Sequence, residues 1–140
     1  MKQLPSRIFF KKPHKPSSFF LKALAVKTFF PLTELYGLKS LAAGRLTFKQ
    51  IEAGRRTIRR TVSKKGRIII RPFTYASLTK RALGVRMGKG KGGHDRWVCP
   101  VRQGQIIYEI SGVSSFFAHL ALKKAADKMP FRCSVIKLVY

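Results

Sequence analysis

The stretch Gly84-Val-Arg-Met-Gly-Lys-Gly-Lys-Gly-Gly-His-Asp-Arg-Trp97 gathers the residue types best suited to chemistry. It holds five glycines, two lysines and two arginines, with no acid before Asp95. Glycines beside lysines serve two ends. Their backbone N–H groups can cradle a nucleotide's phosphates, or the run can form a basic finger that enters a crowded polyanion. Gly88 to Gly93 fits the spacing G-x-G-x-x-G. A dinucleotide site also needs a strand before the motif and a helix N-terminus after it, because that helix end holds the pyrophosphate. Here the sequence continues as a strand from about Arg96. A P-loop fails as well: Gly84-x-x-x-Gly88-Lys89 is one residue short, and Gly90 stands where Ser or Thr should hold Mg²⁺. The finger is favoured over a nucleotide-dependent enzyme, and no cofactor is expected.

Other reactive groups are sparse. Glu34, Glu52, Asp95, Glu109 and Asp127 are scattered singly, whereas two-carboxylate hydrolysis and Mg or Ca binding need clustered acids. Cys99 and Cys133 sit in no C-x-x-C, and His14, His94 and His119 share no ligand spacing with them. No metal, disulfide framework or catalytic residue is expected. The cysteines read as buried strand residues in a reducing compartment.

The charge balance is one-sided. Thirty Lys and Arg face five acids, a net +25 on 140 residues. Such self-repulsion suits a protein whose surface a polyanion covers. Nucleic acid and an anionic membrane are the candidates, and charge alone leaves a DNA-binding protein open. The most apolar run, from Phe19 to Phe30, has 12 residues and two lysines, where a spanning helix needs ~20. It can still lie on a membrane surface, so a basic peripheral membrane protein is the alternative reading.

The elements that must position these residues can be read in order. Residues 1–33 contain Pro5, Pro13, Pro16 and Pro31 and no acid, and read as a basic N-terminal extension. Residues 34–140 form the compact part. A short strand is expected within 33–41. Thr47-Phe-Lys-Gln50 fits a capping box that opens a helix running to about Lys64, with Gly66 as its stop. Phe48, Ile51, Ile58 and Val62 make its apolar stripe. Lys49, Arg56, Arg59 and Arg60 share another face within about 100°, with Arg55 at the stripe's edge. Glu52 is the helix's only acid, and Gly54 points to close approach by another backbone. A buried strand follows at Arg67–Phe73, then a long connection over 74–95. The segments 96–102 and 105–111 read as a hairpin around Gln103-Gly104, with Pro100 needing an edge position or a bulge. A second helix spans Ser114–Met129 with Ala118, Ala121, Leu122, Ala125 and Met129 inward, ended by Pro130. Cys133–Val139 is a last strand. The order gives an α+β domain, two helices packed on a mixed or antiparallel sheet. Trp97 and Tyr108 read as core residues rather than base-stacking ones.

Several motifs resemble a known family. Gly44-Arg-Leu-Thr47, Gln50-Ile-Glu-Ala53 with Arg55-Arg56, Arg86-Met-Gly-Lys-Gly-Lys-Gly92, Glu109-Ile-x-Gly-Val113 and Ala125-Ala-x-Lys-Met-Pro130 resemble, in order and spacing, large-subunit ribosomal protein sixteen. The resemblance covers about residues 37–138. It implies an α+β protein on large-subunit rRNA near the base of the central protuberance, beside the aminoacyl and peptidyl tRNA sites. By motif match it carries over Arg55 and Arg56 on the helix that faces RNA and Ile68 to Arg71 on the strand; with the basic residues on and beside that helix, the expected rRNA-binding set is Arg45, Lys49, Arg55, Arg56, Arg59, Arg60, Lys64, Lys65, Arg67 and Arg71. The loop near tRNA would comprise Arg81, Arg86, Met87, Gly88, Lys89, Gly90 and Lys91. Partners would be rRNA, tRNA and neighbouring ribosomal proteins, without homo-oligomer or stable membrane insertion. Two segments depart from the family pattern. Pro72–Thr79 carries no acid where the family has an acidic, proline-bearing turn. Ser114-Ser-Phe-Phe117 replaces Pro and acids at the second helix start, leaving Ser114 to cap it. With the Phe- and Lys-rich N-terminus, these departures point to a mitochondrial ribosome, with bacterial cytoplasm or chloroplast as alternatives.

Overall fold

The computed structural model describes residues 4–5, 36–63, 66–88 and 90–137. Apart from Leu4 and Pro5, the expected N-terminal extension lies outside these residues, as do Lys64, Lys65 and Lys89. The described elements are β1 (Tyr36–Ser40), β2 (Gly44–Thr47), α1 (Phe48–Val62), β3 (Arg67–Ile70), β4 (Ala76–Lys80), β5 (Gly93–Val101), β6 (Ile106–Ser111), α2 (Ser115–Ala126) and β7 (Cys133–Lys137). The strands form two antiparallel sheets, a larger one ordered β3-β6-β1-β7 and a smaller one ordered β2-β5-β4.

Register shows how the larger sheet makes a core. Tyr108 lies opposite Leu38 on one side and Ile70 on the other, Ile110 opposite Tyr36 and Ile68, and Leu38 opposite Val135. Residues directly opposite share a face, so these side chains form one apolar surface. Onto it pack Ile51, Ile58 and Val62 of α1 and Ala121, Leu122 and Ala125 of α2. The α+β expectation is therefore met, with two sheets in place of one.

Helix α1 starts where its chemistry says it should. The Thr47 side chain accepts from the Gln50 N–H, and the Gln50 side chain accepts from the Thr47 N–H at 2.9 Å, which satisfies two otherwise orphaned donors. The helix ends at Val62, two residues earlier than expected. Its stop is Ser63, with φ of 61°, whose N–H bonds the Arg59 carbonyl. Helix α2 also ends early, at Ala126, and Met129 reaches the core from the turn beyond it. Ser114 holds the N-cap position, but its side chain makes no capping bond.

Three further expectations need correction. The Arg67–Phe73 strand is only β3, half-buried at the edge of its sheet. The connection over 74–95 contains β4, which pairs with β5 and leaves 81–92 as the loop. The hairpin across 96–111 does not form, because β5 and β6 lie in different sheets. Both sides of β6 are already taken by β1 and β3. The turn between them hands the chain over at β1: Gly104 N–H bonds Ser40 O, and Ser40 N–H bonds Gln105 O, each at 2.9 Å. Pro100 sits opposite Arg45 of β2 and past the last β4 pair, Ala76–Val98, so no β4 partner faces it.

Tyr108 pins helix to sheet, its buried hydroxyl donating to the Ile51 carbonyl at 2.6 Å. This explains Gly54. A Cβ there would lie 2.5 Å from the Tyr108 hydroxyl and 2.9 Å from Met129 Cε; the close neighbour is a side chain and not the expected backbone. Gly54→Ala should gain about 1 kcal/mol of helix propensity yet lose more to the clash, for a net cost of about 1–3 kcal/mol. Urea unfolding checks this, and a Tyr108→Phe background, which removes the nearest of the contacts but leaves Met129 Cε at 2.9 Å, should relieve part of the penalty.

Candidate nucleic-acid interface

Lys49, Arg56, Arg59 and Arg60 are exposed along α1, and Arg55 is half-buried at the stripe's edge. Their only acid partner on the helix is Glu52. Arg55 donates to both of its oxygens, Nε to Oε2 at 2.8 Å and Nη2 to Oε1 at 2.7 Å, and Arg56 Nε donates to Oε1 at 3.0 Å. The Arg55 hydrogen bond, aided by Arg56 and opposed by burial, lowers the Glu52 carboxyl to about 2. One carboxylate thus orients two guanidinium groups while Arg56 stays 66% exposed. An oriented planar fork suits phosphate oxygens.

Basic residues flank α1 on both sides. Between α1 and β3 runs an open groove of about 760 Å³ lined by Arg55, Arg59 and the exposed Arg67. Arg59 also closes the helix end, Nη1 donating to the Gly66 carbonyl at 2.9 Å. A second groove meets Lys49, Arg56, Arg60 and Lys128. The α2–β7 connection brings Lys128 there, and nothing in its local spacing reveals this. Arg45 is exposed on β2.

Arg71 belongs elsewhere. Its side chain is only 5% exposed, and Nε and Nη2 both donate to Glu109 Oε1, with Glu109 fully buried. The sequence grouped it with phosphate-binding arginines because a bracketing arginine beside a strand looks the same whether it faces in or out. The structure gives it an internal partner. Asp95 likewise engages Arg96 at 2.7 Å. Three of the four described acids are thus held by the chain's own arginines.

The loop over 81–92 projects from the β4–β5 pair. Gly92 is required at its base, since a Cβ would lie 2.6 Å from the Lys80 carbonyl oxygen. Ser77 Oγ and His94 Nδ1, 2.6 Å apart, tie β4 to β5 there, and the His94 ring packs on half-buried Trp97 with centroids 4.8 Å apart. Within the loop, Arg81 reaches across, Nη2 donating to Gly90 O at 3.2 Å and Nη1 to Met87 Sδ at 3.8 Å. Arg86, Met87, Gly88, Gly90 and Lys91 are all exposed. The structure therefore gathers two sets of sequence-predicted residues, one around α1 and β3, the other on the loop. Thr47 links them: it is the last β2 residue, opposite Val98 of β5, and it caps α1.

Burial pushes the thiols of Cys99 and Cys133 up to about 11. Both are free; Cys99 is buried in β5 as expected, whereas Cys133 in β7 is only half-buried. No group of three or more His, Cys, Asp or Glu residues is placed to hold a metal among the described residues. None of their helices is long and apolar enough to cross a membrane.

Residues 5–136 match the family described as Ribosomal protein L16p/L10e. The chain is similar to the large ribosomal subunit protein uL16 of Psychrobacter arcticus, with 44% identity over 133 residues and 95% of each chain covered. The uL16 of Buchnera aphidicola subsp. Baizongia pistaciae is 45% identical over 136 residues, 96% of this chain and 97% of that protein. That of Alkalilimnicola ehrlichii is 41% identical over 133 residues, 95% of each. These relatives are bacterial, which overturns the mitochondrial expectation in favour of bacterial cytoplasm. The loss of acids behind that expectation reports a cationic surface, and such a surface suits an RNA-bound protein in any compartment.

Two outcomes follow. The depressed Glu52 carboxyl contributes stability that is fully present above its ordinary value of 4.5 and is lost as pH falls towards about 2. Urea unfolding of the wild type and Glu52→Gln should therefore differ at pH 6 and converge through that acid window. Arg71→Ala, which strands a buried carboxylate, should cost about 3–5 kcal/mol, whereas Arg45→Ala should stay within about 0.5 kcal/mol; thermal unfolding distinguishes them.

Proposed function

Because the chain belongs to the Ribosomal protein L16p/L10e family, and is thus a non-catalytic ribosomal protein, we propose that it binds large-subunit rRNA through α1 and its flanks. We propose further that its glycine-rich loop helps position tRNA at the aminoacyl and peptidyl sites, near the base of the central protuberance. The observation that carries this reading is the pair of basic grooves along α1, whose one acid is spent on orienting Arg55 and Arg56.

Arg45, Lys49, Arg55, Arg56, Arg59, Arg60, Lys64, Lys65 and Arg67 act on phosphates, with Lys128 added by the structure. Each neutralised phosphate releases counterions, so binding weakens steeply with salt. Arginine forks fix the protein on folded RNA by shape and backbone, without reading a helix groove. Arg71 serves from inside, holding β3 to β6 through Glu109. On the loop, Arg81 maintains the shape while Arg86, Lys89 and Lys91 supply charge beside tRNA; the RNA carries out peptide transfer. Residues 34–140 form the rRNA-binding domain and residues 1–33 an added basic extension. Neighbouring ribosomal proteins complete its surroundings in the bacterial ribosome.

Sucrose-gradient fractionation of cells expressing tagged variants tests the assignment. Arg55, Arg56 and Arg59 replaced together by alanine should deplete the protein from large subunits. With purified rRNA, the slope of log K against log salt should flatten by about 0.7–0.9 for each phosphate that is no longer neutralised. Arg86 and Lys89 replaced by alanine should leave incorporation intact and reduce tRNA binding by the assembled subunits. Normal incorporation of the helix variant would contradict the proposal.

A further inference from the structure

The loop between β4 and β5 is more than a cationic finger. Leu83, Val85 and Met87 expose 96%, 53% and 92% of their surface, and Leu83 and Met87 are the most exposed large apolar side chains among the described residues. They alternate with Gly84, Arg86 and Gly88. A Cβ added at Gly84, Gly88 or Gly90 would meet nothing within 4 Å, so the space around this backbone is open. Arg81 ties the Met87 limb to the Gly90 limb, which keeps the apolar residues on a shaped loop.

A partner that covers this loop must bury apolar side chains and also accept the exposed Lys80, Arg81, Arg86 and Lys91 around them. Unstacked nucleobases meet both demands, with flat apolar faces strung on an anionic backbone. A fully paired duplex offers the phosphates but keeps its base faces inside the stack. An anionic membrane shares the mixed chemistry. However, surface insertion uses a continuous amphipathic helix, and Gly84 and Gly88, at φ of 81° and 96°, interrupt one here.

We propose that Leu83, Val85 and Met87 form an apolar edge that packs on unpaired, unstacked bases of RNA, while the neighbouring cations hold the RNA backbone. This rests on the RNA-binding reading and adds to it a component of affinity that salt does not remove. It also makes the loop selective for RNA that is locally single-stranded.

The test uses the full chain, a Leu83→Ser/Val85→Thr variant that keeps Met87 and its Arg81 contact, and two fluorescein-labelled RNAs with equal numbers of phosphates. One is a stem interrupted by an internal loop of unpaired purines, the other a fully paired duplex. Fluorescence anisotropy is recorded across a salt series. Leu83 and Val85 lie outside the core cluster, so the variant's unfolding midpoint should stay close to that of the wild type. Its affinity for the looped RNA should fall about fivefold or more, with the salt slope and the duplex affinity unchanged. Equal loss on both RNAs, or no loss on the looped one, overturns the proposal. So does retained RNA binding with loss of flotation on phosphatidylserine vesicles, which would assign the edge to a membrane. A wild-type chain that binds neither RNA overturns both this inference and the RNA-binding function.

Discussion

Twenty-five net positive charges on 140 residues must be held together by a fold that supplies little opposing charge of its own. Two like charges 4 Å apart repel by about 1 kcal/mol even in bulk water. The structure meets this by spending its acids locally. Glu109 neutralises the buried Arg71, Glu52 orients Arg55 and Arg56, and Asp95 meets Arg96. The remaining cations described around α1 and on the loop face solvent, where ions screen them in the free chain and where RNA phosphates would replace those ions. The proposed partner therefore completes an electrostatic balance that the chain leaves open.

Position follows from a few rigid joints. Tyr108 fixes α1 to the larger sheet through the Ile51 carbonyl, and the missing Cβ of Gly54 makes room for its hydroxyl. Thr47 joins the capped start of α1 directly to β2, which pairs with β5, the strand that carries the loop. The basic helix and the loop are thus oriented by one continuous path of hydrogen-bonded backbone. At the loop's base, Gly92 and the Ser77–His94 contact keep β4 and β5 close; beyond it, the glycine-rich chain follows the shape that Arg81 sets.

What the sequence made legible was local. The capping box at Thr47, the stripe of Ile51, Ile58 and Val62, the inner face of α2 and the basic loop all follow from spacing within one element. Two kinds of information were missing. Strand partners depend on which edges are already occupied, so 96–111 looked like a hairpin although β6 is enclosed by β1 and β3, and β4 passed for loop. Side-chain direction at strand ends depends on tertiary contacts, so Arg71 was grouped with outward arginines before Glu109 was known to face it. Lys128 reaches the basic groove beside α1 only through the path of the chain after α2. The apolar residues Leu83 and Val85 went unnoticed beside the lysines because exposure cannot be read from residue type. The mitochondrial inference failed for a related reason: it took surface charge as a mark of compartment, whereas the relatives are bacterial.

The claim beneath all of this is that the fold is electrostatically incomplete without a polyanion. Calorimetric unfolding of the purified chain at low ionic strength, alone and with a fragment of large-subunit rRNA, tests it most directly. The account requires a low midpoint that climbs as salt is added and climbs further when RNA is supplied at low salt. A midpoint indifferent to both additions would contradict it.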